Sequence, residues 1–195
     1  MKNLKMENSL ENLALPQHKI IYSQEAILDG VKLLAEQISA DYKGREIMLI
    51  GLLKSSVFFL ADLIRRISVP LTIDFIATAK YLPHPSQGSG IVKIVKDLEE
   101  NILNKNIILV RTIIDTGISV HYLMENLKLR KPAEIKICSL LLRRKNLMPG
   151  LPVDYHGFEA GEKFLIGYGM DYQESCRNLP YIAELTENIK KKEQA

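Results

Sequence analysis

The chain of 195 residues lacks most of what marks a secreted, membrane or nucleic-acid-binding protein. It has two cysteines, Cys138 inside the apolar run Ile135 to Leu142 and Cys176 in a polar stretch. Thiols so few and so differently placed suggest no disulfide framework, and a reducing cytoplasm is the expected compartment. No segment approaches the roughly 18 to 20 uninterrupted apolar residues of a membrane span. Met1 to Asn12 mixes charges with leucines and has no signal-peptide core. A dominant charge is also missing. The 26 basic and 23 acidic residues leave a formal +3, much of it in Lys190-Lys191-Lys192, which makes no case for nucleic acid. Repeats and long low-complexity tracts are absent. Apolar content is present: 47% of residues are hydrophobic, enough for a sizeable core in one domain.

The apolar residues fall into two alternating patterns. Ser23-Gln24-Glu25-Ala26 reads as a helix start, with Ile27, Val31, Leu34, Ala35 and Ile38 following at helical spacing up to Lys43-Gly44. Glu46 to Leu53 reads as a buried strand, Ser56 to Arg66 as a second helix, and Pro70 to Ala77 as the next strand. Strands separated by crossover helices predict a parallel sheet covered on both faces. Tyr81 to Gly90 holds two prolines and two glycines and predicts a long loop, with Ile91 to Val95 returning as a half-exposed strand. That pairing suggests a flap within a hairpin. Glu134 to Leu141 is a further buried strand, and Asp154 to Phe158 and Lys163 to Gly169 supply late strand material.

The chain is organised around Ile107 to Val120. Its β-branched run stops at Asp115-Thr116-Gly117 and restarts with Leu123, Met124 and Leu127 at helical spacing. A polar turn between a buried parallel strand and a helix sits where free amides and the helix dipole favour an anion. Thr116 and Ser119 add hydroxyls, and Gly117 permits close approach of a ligand. Asp115 has two readings, a helix N-cap or a ligand-facing carboxylate.

Ile113-Ile114-Asp115-Thr116-Gly117 after a hydrophobic strand resembles the phosphoribosyl pyrophosphate signature of the type I phosphoribosyltransferases. Ala40-Asp41-Tyr42-Lys43-Gly44, Ala61-Asp62-Leu63, Ile73-Asp74-Phe75 and Lys136 to Leu141 narrow the resemblance to the hypoxanthine-guanine phosphoribosyltransferases. So do Gly167 to Tyr172 and Arg177-Asn178-Leu179-Pro180-Tyr181-Ile182. The likeness runs over residues 20–185. It implies an α/β fold of the type I phosphoribosyltransferase kind, a central parallel sheet flanked by helices, with a small hood and a mobile flap loop. Residues 1–185 would form one domain whose hood comes from the N-terminal and C-terminal segments, and 186–195 a frayed tail.

The activity so implied is purine salvage, transfer of a 5-phosphoribosyl group from phosphoribosyl pyrophosphate to N9 of hypoxanthine or guanine, with Mg2+. IMP or GMP and pyrophosphate are the products. The partners implied are these small molecules and further copies of the chain, as a homodimer or homotetramer, with neither nucleic acid nor membrane. By resemblance, Asp115, Thr116, Gly117, Ile118 and Ser119 bind the 5-phosphate, and Asp115 is the catalytic acid/base at purine N7. Arg143, Lys163, Phe164, Leu165 and Asp171 surround the purine, with the Phe164 ring stacked on it and Asp171 also holding the metal. Lys54, Ser55 and Arg177 take the pyrophosphate, the Lys54–Ser55 peptide being one that can be cis. Lys80 and Tyr81 belong to the flap. Taken alone, Phe164 and Leu165 read as core residues, Asp171 as a turn residue and Arg177 as a surface charge.

The chain departs from this family's pattern in two important places. Arg111 and Thr112 stand where Glu-Asp normally holds the ribose hydroxyls, and Arg143 stands where a lysine reads the purine 6-oxo group. The first change removes two negative charges and adds a positive one, which should weaken the grip on ribose and metal. A weakened paralogue that binds purine nucleotides or regulates a partner is the alternative function.

Overall fold

The structure is a computed structural model that describes residues 15–81 and 91–186. In chain order its elements are β1 (His18–Tyr22), α1 (Gln24–Asp41), β2 (Ile47–Leu53), α2 (Val57–Ile64), β3 (Leu71–Tyr81), β4 (Ile91–Lys96), β5 (Asn106–Ile114), α3 (Ile118–Lys128), β6 (Glu134–Leu142), β7 (Tyr155–Glu159), β8 (Leu165–Ile166) and β9 (Ile182–Leu185). A single 3-10 turn, Arg144–Asn146, follows β6.

Continuous apolar strands need cover on both faces, and β2 shows how that cover is divided. Ile47 and Leu49 pack with Ile27, Ile38, Phe59 and Leu63 of α1 and α2. The intervening Met48, Ile50 and Leu52 pack with Val120, Leu123, Met124 and Leu127 of α3. The two-residue period of the strand thus feeds two cores on opposite sides of one sheet. Ser23 caps α1 as its position in the sequence predicts, its side chain accepting from the Ala26 amide at 3.2 Å.

The main sheet has the order β4-β3-β2-β5-β6-β7. β2 is parallel to β3 and β5, and β6 is parallel to β5 and β7. β4 is antiparallel to β3, so the expected hairpin is present. The loop between them, 82–90, lies outside the described residues, as do the side chains of Lys80 and Tyr81 and all of the tail beyond Thr186. Asp74 anchors the return from this hairpin. Its Oδ1 accepts from the Phe75 amide at 2.6 Å, and its Oδ2 from the Glu99 and Glu100 amides at 2.8 and 3.1 Å.

A second, three-stranded sheet has the order β1-β9-β8 and its own small core of Ile166, Cys176, Leu179, Ala183 and Leu185. Sequence pattern alone indicates neither β1 nor β9, because each is short and its partner is about as far away as the chain allows. Of the predicted strand material Lys163 to Gly169, only Leu165–Ile166 is strand. Gly167, Tyr168 and Gly169 have φ of +90, +46 and +92°, and Gly167 and Met170 exchange amide-to-carbonyl bonds at 3.0 Å, so the chain makes a tight turn here instead of continuing the strand.

Strand order locates the functional end. The chain leaves β2 toward β3 on one side and returns to β5 on the other, so the order reverses between β2 and β5. In open parallel sheets ligands bind beyond the carboxyl ends of strands at such a switch point. Lys54 and Asp115 are the first residues past those two ends. At the opposite end of the sheet, a shallow cavity is bordered by Arg45, Glu46, Thr72, Lys105 and Asn106.

Candidate active site

At the end of β5 the turn Asp115-Thr116-Gly117 opens α3. Gly117 occupies the N-cap with φ +79°, and no side chain caps the helix. That conformation favours glycine, and a side chain here would collide with Leu151. The two readings of Asp115 are thereby separated. Its carboxylate does not cap α3; Oδ2 accepts from Arg143 Nη1 at 2.9 Å and Oδ1 from Asn146 Nδ2 at 2.6 Å. Thr116 is exposed, with its carbonyl accepting from the Met148 amide at 3.0 Å. Ile118 is exposed and Ser119 half-buried at the first turn of α3, whose leading amides lack helical acceptors.

Arg143 lies just past β6, beside Asp115 because β5 and β6 are parallel and in register from Asn106–Glu134 to Ile114–Leu142. Its Nε donates to the Gly161 carbonyl at 2.8 Å and its Nη2 to the Lys163 carbonyl. A guanidinium has five N–H donors, so two remain for a ligand oxygen. Lys163 reaches away to Glu184 at 3.2 Å. Phe164 is 45% exposed, its ring edge-on to Tyr172 at 6.1 Å, whereas Leu165 is buried in β8. The core reading therefore applies to the Leu165 side chain but not to Phe164. A large aromatic face left open beside Arg143 is suited to a flat ligand.

On the β2 side the cis peptide is Leu53–Lys54, one bond earlier than the Lys54–Ser55 peptide considered from sequence. Ser55 turns its carbonyl inward. It accepts from Thr112 Oγ1 at 2.7 Å, and a side chain at Gly169 would collide with it. Thr112 is fully buried, and its hydroxyl proton is committed to that loop. Arg111 donates from Nε to the Ile113 carbonyl at 2.8 Å, and burial, with no charged partner, pushes its guanidinium below its ordinary pKa.

Arg177 connects the remaining groups. Its Nη2 lies 2.8 Å from Asp171 Oδ1, and its Nη1 donates to the Gly169 carbonyl at 2.9 Å. Asp171 Oδ2 accepts from the Glu174 amide at 3.0 Å. Lys54 Nζ lies 2.8 Å from Glu174 Oε2. Among the described residues there is no cluster of three or more His, Cys, Asp or Glu placed to hold a metal ion. Asp171 is the expected metal carboxylate, and a lone carboxylate is compatible with Mg2+, which keeps several waters and takes its remaining oxygens from a phosphorylated substrate.

The predicted residues thus gather in two groups, Asp115 with Arg143 and Lys163, and Lys54 and Ser55 with Asp171 and Arg177. Sequence reasoning passed over two members. Asn146 and Glu174 are polar residues in short turns with no periodic signal, and only the tertiary structure brings each onto an ionised group of the site.

The chain is similar in sequence and fold to proteins of one family. The family model described as "Phosphoribosyl transferase domain" matches residues 17–173. A hypoxanthine-guanine phosphoribosyltransferase of Streptococcus pyogenes serotype M3 is 39% identical over 171 residues, 88% of this chain and 94% of the relative. A hypoxanthine phosphoribosyltransferase of Buchnera aphidicola is 40% identical over 169 residues, covering 86% and 95%. The crystal structure of a hypoxanthine-guanine phosphoribosyltransferase from Bacillus anthracis superposes with a TM-score of 0.79 at 40% identity, covering 88% of this chain and 99% of that one. With likeness of this extent in sequence and fold, the chain belongs to the phosphoribosyltransferase family, and within it to the hypoxanthine-guanine phosphoribosyltransferases.

Proposed function

We propose that the protein salvages purines by transferring the 5-phosphoribosyl group of phosphoribosyl pyrophosphate to N9 of hypoxanthine or guanine, giving IMP or GMP and pyrophosphate. The observation that carries this reading is the Asp115–Arg143 pair at the switch point, with the half-exposed Phe164 on the segment that Arg143 ties down. In this reading the three serve as an acid/base carboxylate, a donor for the 6-oxo group and a stacking face.

The transition state resembles an oxocarbenium ion, so each end of the substrate must be held while charge separates. Amides of the first turn of α3, with Thr116 and Ser119, hold the 5-phosphate. Phe164 stacks on the purine and the Leu165 backbone meets its Watson-Crick edge. Arg143 donates its spare N–H groups to the 6-oxo oxygen. Asp115 manages the proton at purine N7 once the base has displaced part of its present hydrogen bonding. Lys54 and Arg177 hold the leaving pyrophosphate, for which a forked guanidinium is suited. Asp171 would hold Mg2+, which neutralises pyrophosphate charge when bound. Arg111 and Thr112 offer the ribose no carboxylate, and both side chains already donate to backbone carbonyls. The flap residues Lys80 and Tyr81 would exclude water during transfer.

No helix among the described residues is long and apolar enough to cross a membrane. The cytoplasmic location we infer rests on the sparse, differently placed cysteines. Steady-state assays with hypoxanthine, guanine and xanthine, phosphoribosyl pyrophosphate and Mg2+ test the reading. Turnover of at least one 6-oxopurine is expected. A protein stabilised by IMP or GMP but without turnover would instead be the weakened, nucleotide-binding paralogue that Arg111 and Thr112 suggest.

A further inference from the structure

The two cations assigned to pyrophosphate already share an anion. Glu174 Oε2 lies 2.8 Å from Lys54 Nζ and 3.3 Å from Arg177 Nη2, so one carboxylate oxygen bridges loops that are 120 residues apart in sequence. The backbone is built to present it. Tyr172 and Ser175 exchange amide-to-carbonyl bonds at 3.1 and 3.0 Å, closing a two-residue turn whose central residues, Gln173 and Glu174, have φ of +52 and +62°. A turn with both central residues left-handed favours asparagine and glycine, yet here it carries two long side chains. The Glu174 amide is fixed in turn by Asp171 Oδ2 at 3.0 Å. Its carboxyl is held below the usual range by hydrogen bonds from Lys54 and then Arg177.

We propose that Glu174 is an internal counter-anion that occupies the pyrophosphate position of the free protein and must be displaced when pyrophosphate binds. The proposal rests on the assignment of Lys54 and Arg177 to pyrophosphate. Several features make the exchange feasible. The Lys54 and Glu174 side chains are each 67% exposed, and ion pairs between exposed groups are individually weak and screened by salt. Pyrophosphate presents more charge and more acceptor oxygens than one carboxylate, and can engage both cations at once. A monovalent anion has no such advantage, so Glu174 also discriminates against small anions. Glu174 is therefore a specificity residue that lowers affinity for the leaving group, and by reversal eases its departure.

The sign of one substitution separates this role from the alternatives. Binding of inorganic pyrophosphate to the full chain is measured by isothermal calorimetry in metal-free buffer, for the wild type, Glu174→Gln, Glu174→Gly and Lys54→Gln. With two weak pairs removed, Glu174→Gln is expected to bind pyrophosphate about 3- to 10-fold more tightly. Glu174→Gly should do the same, since glycine accepts the positive φ. Unchanged or weaker binding in both Glu174 variants overturns the proposal, because Glu174 would then be orienting the cations rather than competing for them. Lys54→Gln tests the underlying assignment separately. Weaker binding supports it, and unchanged binding means that pyrophosphate sits elsewhere and the proposal fails with it.

Discussion

Thr112 shows why a residue cannot be judged by what it replaces. Exchanging Arg111 and Thr112 for the acids usual in the family appears restorative in sequence, but Thr112 is fully buried and donates to the Ser55 carbonyl. An aspartate there would bury a carboxylate against a carbonyl oxygen, two acceptors with no proton between them. Thr112→Val is expected to cost about 1–3 kcal/mol by leaving that carbonyl unpaired, read as a fall of several degrees in Tm. Thr112→Asp should lower Tm further still, and an Asp variant as stable as the wild type would contradict this account. At this scale legibility was uneven. Asp115, Arg143 and Arg177 stand in stretches that announce themselves, and the structure gathers each into a charged cluster. Asn146 and Glu174 could not be found, since what makes them part of the site is a tertiary contact 31 residues away in one case and 120 in the other.

Elements with strong periodicity were readable because burial dictates it. β2, β5 and β6 are apolar on both faces since helices cover both sides, and α1 carries its apolar stripe because one face meets the sheet. β1 and β9 were not readable. Five and four residues give little pattern, and their pairing joins the two ends of the chain. Asp74, in β3, is testable at this scale. Burial alone would raise its carboxyl, but hydrogen bonds from the Glu100, Phe75 and Glu99 amides, with Lys96 nearby, leave it lowered. A carboxyl lowered in the folded state contributes stability that is present above the unfolded value, about 3.9, and is lost as pH falls through the lower folded value. Asp74→Asn should therefore destabilise by about 1.5–3 kcal/mol near neutrality. Its deficit against the wild type in thermal unfolding should narrow as pH drops below about 4. A deficit independent of pH would assign Asp74 a packing role only.

For the whole molecule, the sheet order explains why residues from four separated segments meet. Lys54, Asp115 and Arg143 follow strands β2, β5 and β6 at the carboxyl end of the main sheet, and Phe164, Asp171 and Arg177 come from the segments that flank β8. The fold was legible because continuous apolar strands in turn with amphipathic helices specify the layers; the cis peptide and the left-handed turn at Gln173-Glu174 were not, because backbone geometry of that kind leaves no compositional trace. The expected homodimer or homotetramer also belongs to this scale. Val57, Phe58 and Ile73 are 40, 43 and 42% exposed, apolar surface that a further copy could cover. Size-exclusion chromatography should show an oligomer that Phe58→Glu converts to a folded monomer. A monomeric wild type would remove this reading.

The central claim is that Asp115, held between Arg143 and Asn146, is the group that handles the purine proton in a working transferase. Steady-state formation of IMP from hypoxanthine and phosphoribosyl pyrophosphate, compared between wild type and Asp115→Asn at equal folded concentration, tests it most directly. The account predicts measurable wild-type turnover and a fall in kcat of about 100-fold or more in the variant. Turnover of the variant equal to that of the wild type, or none in either, would contradict it.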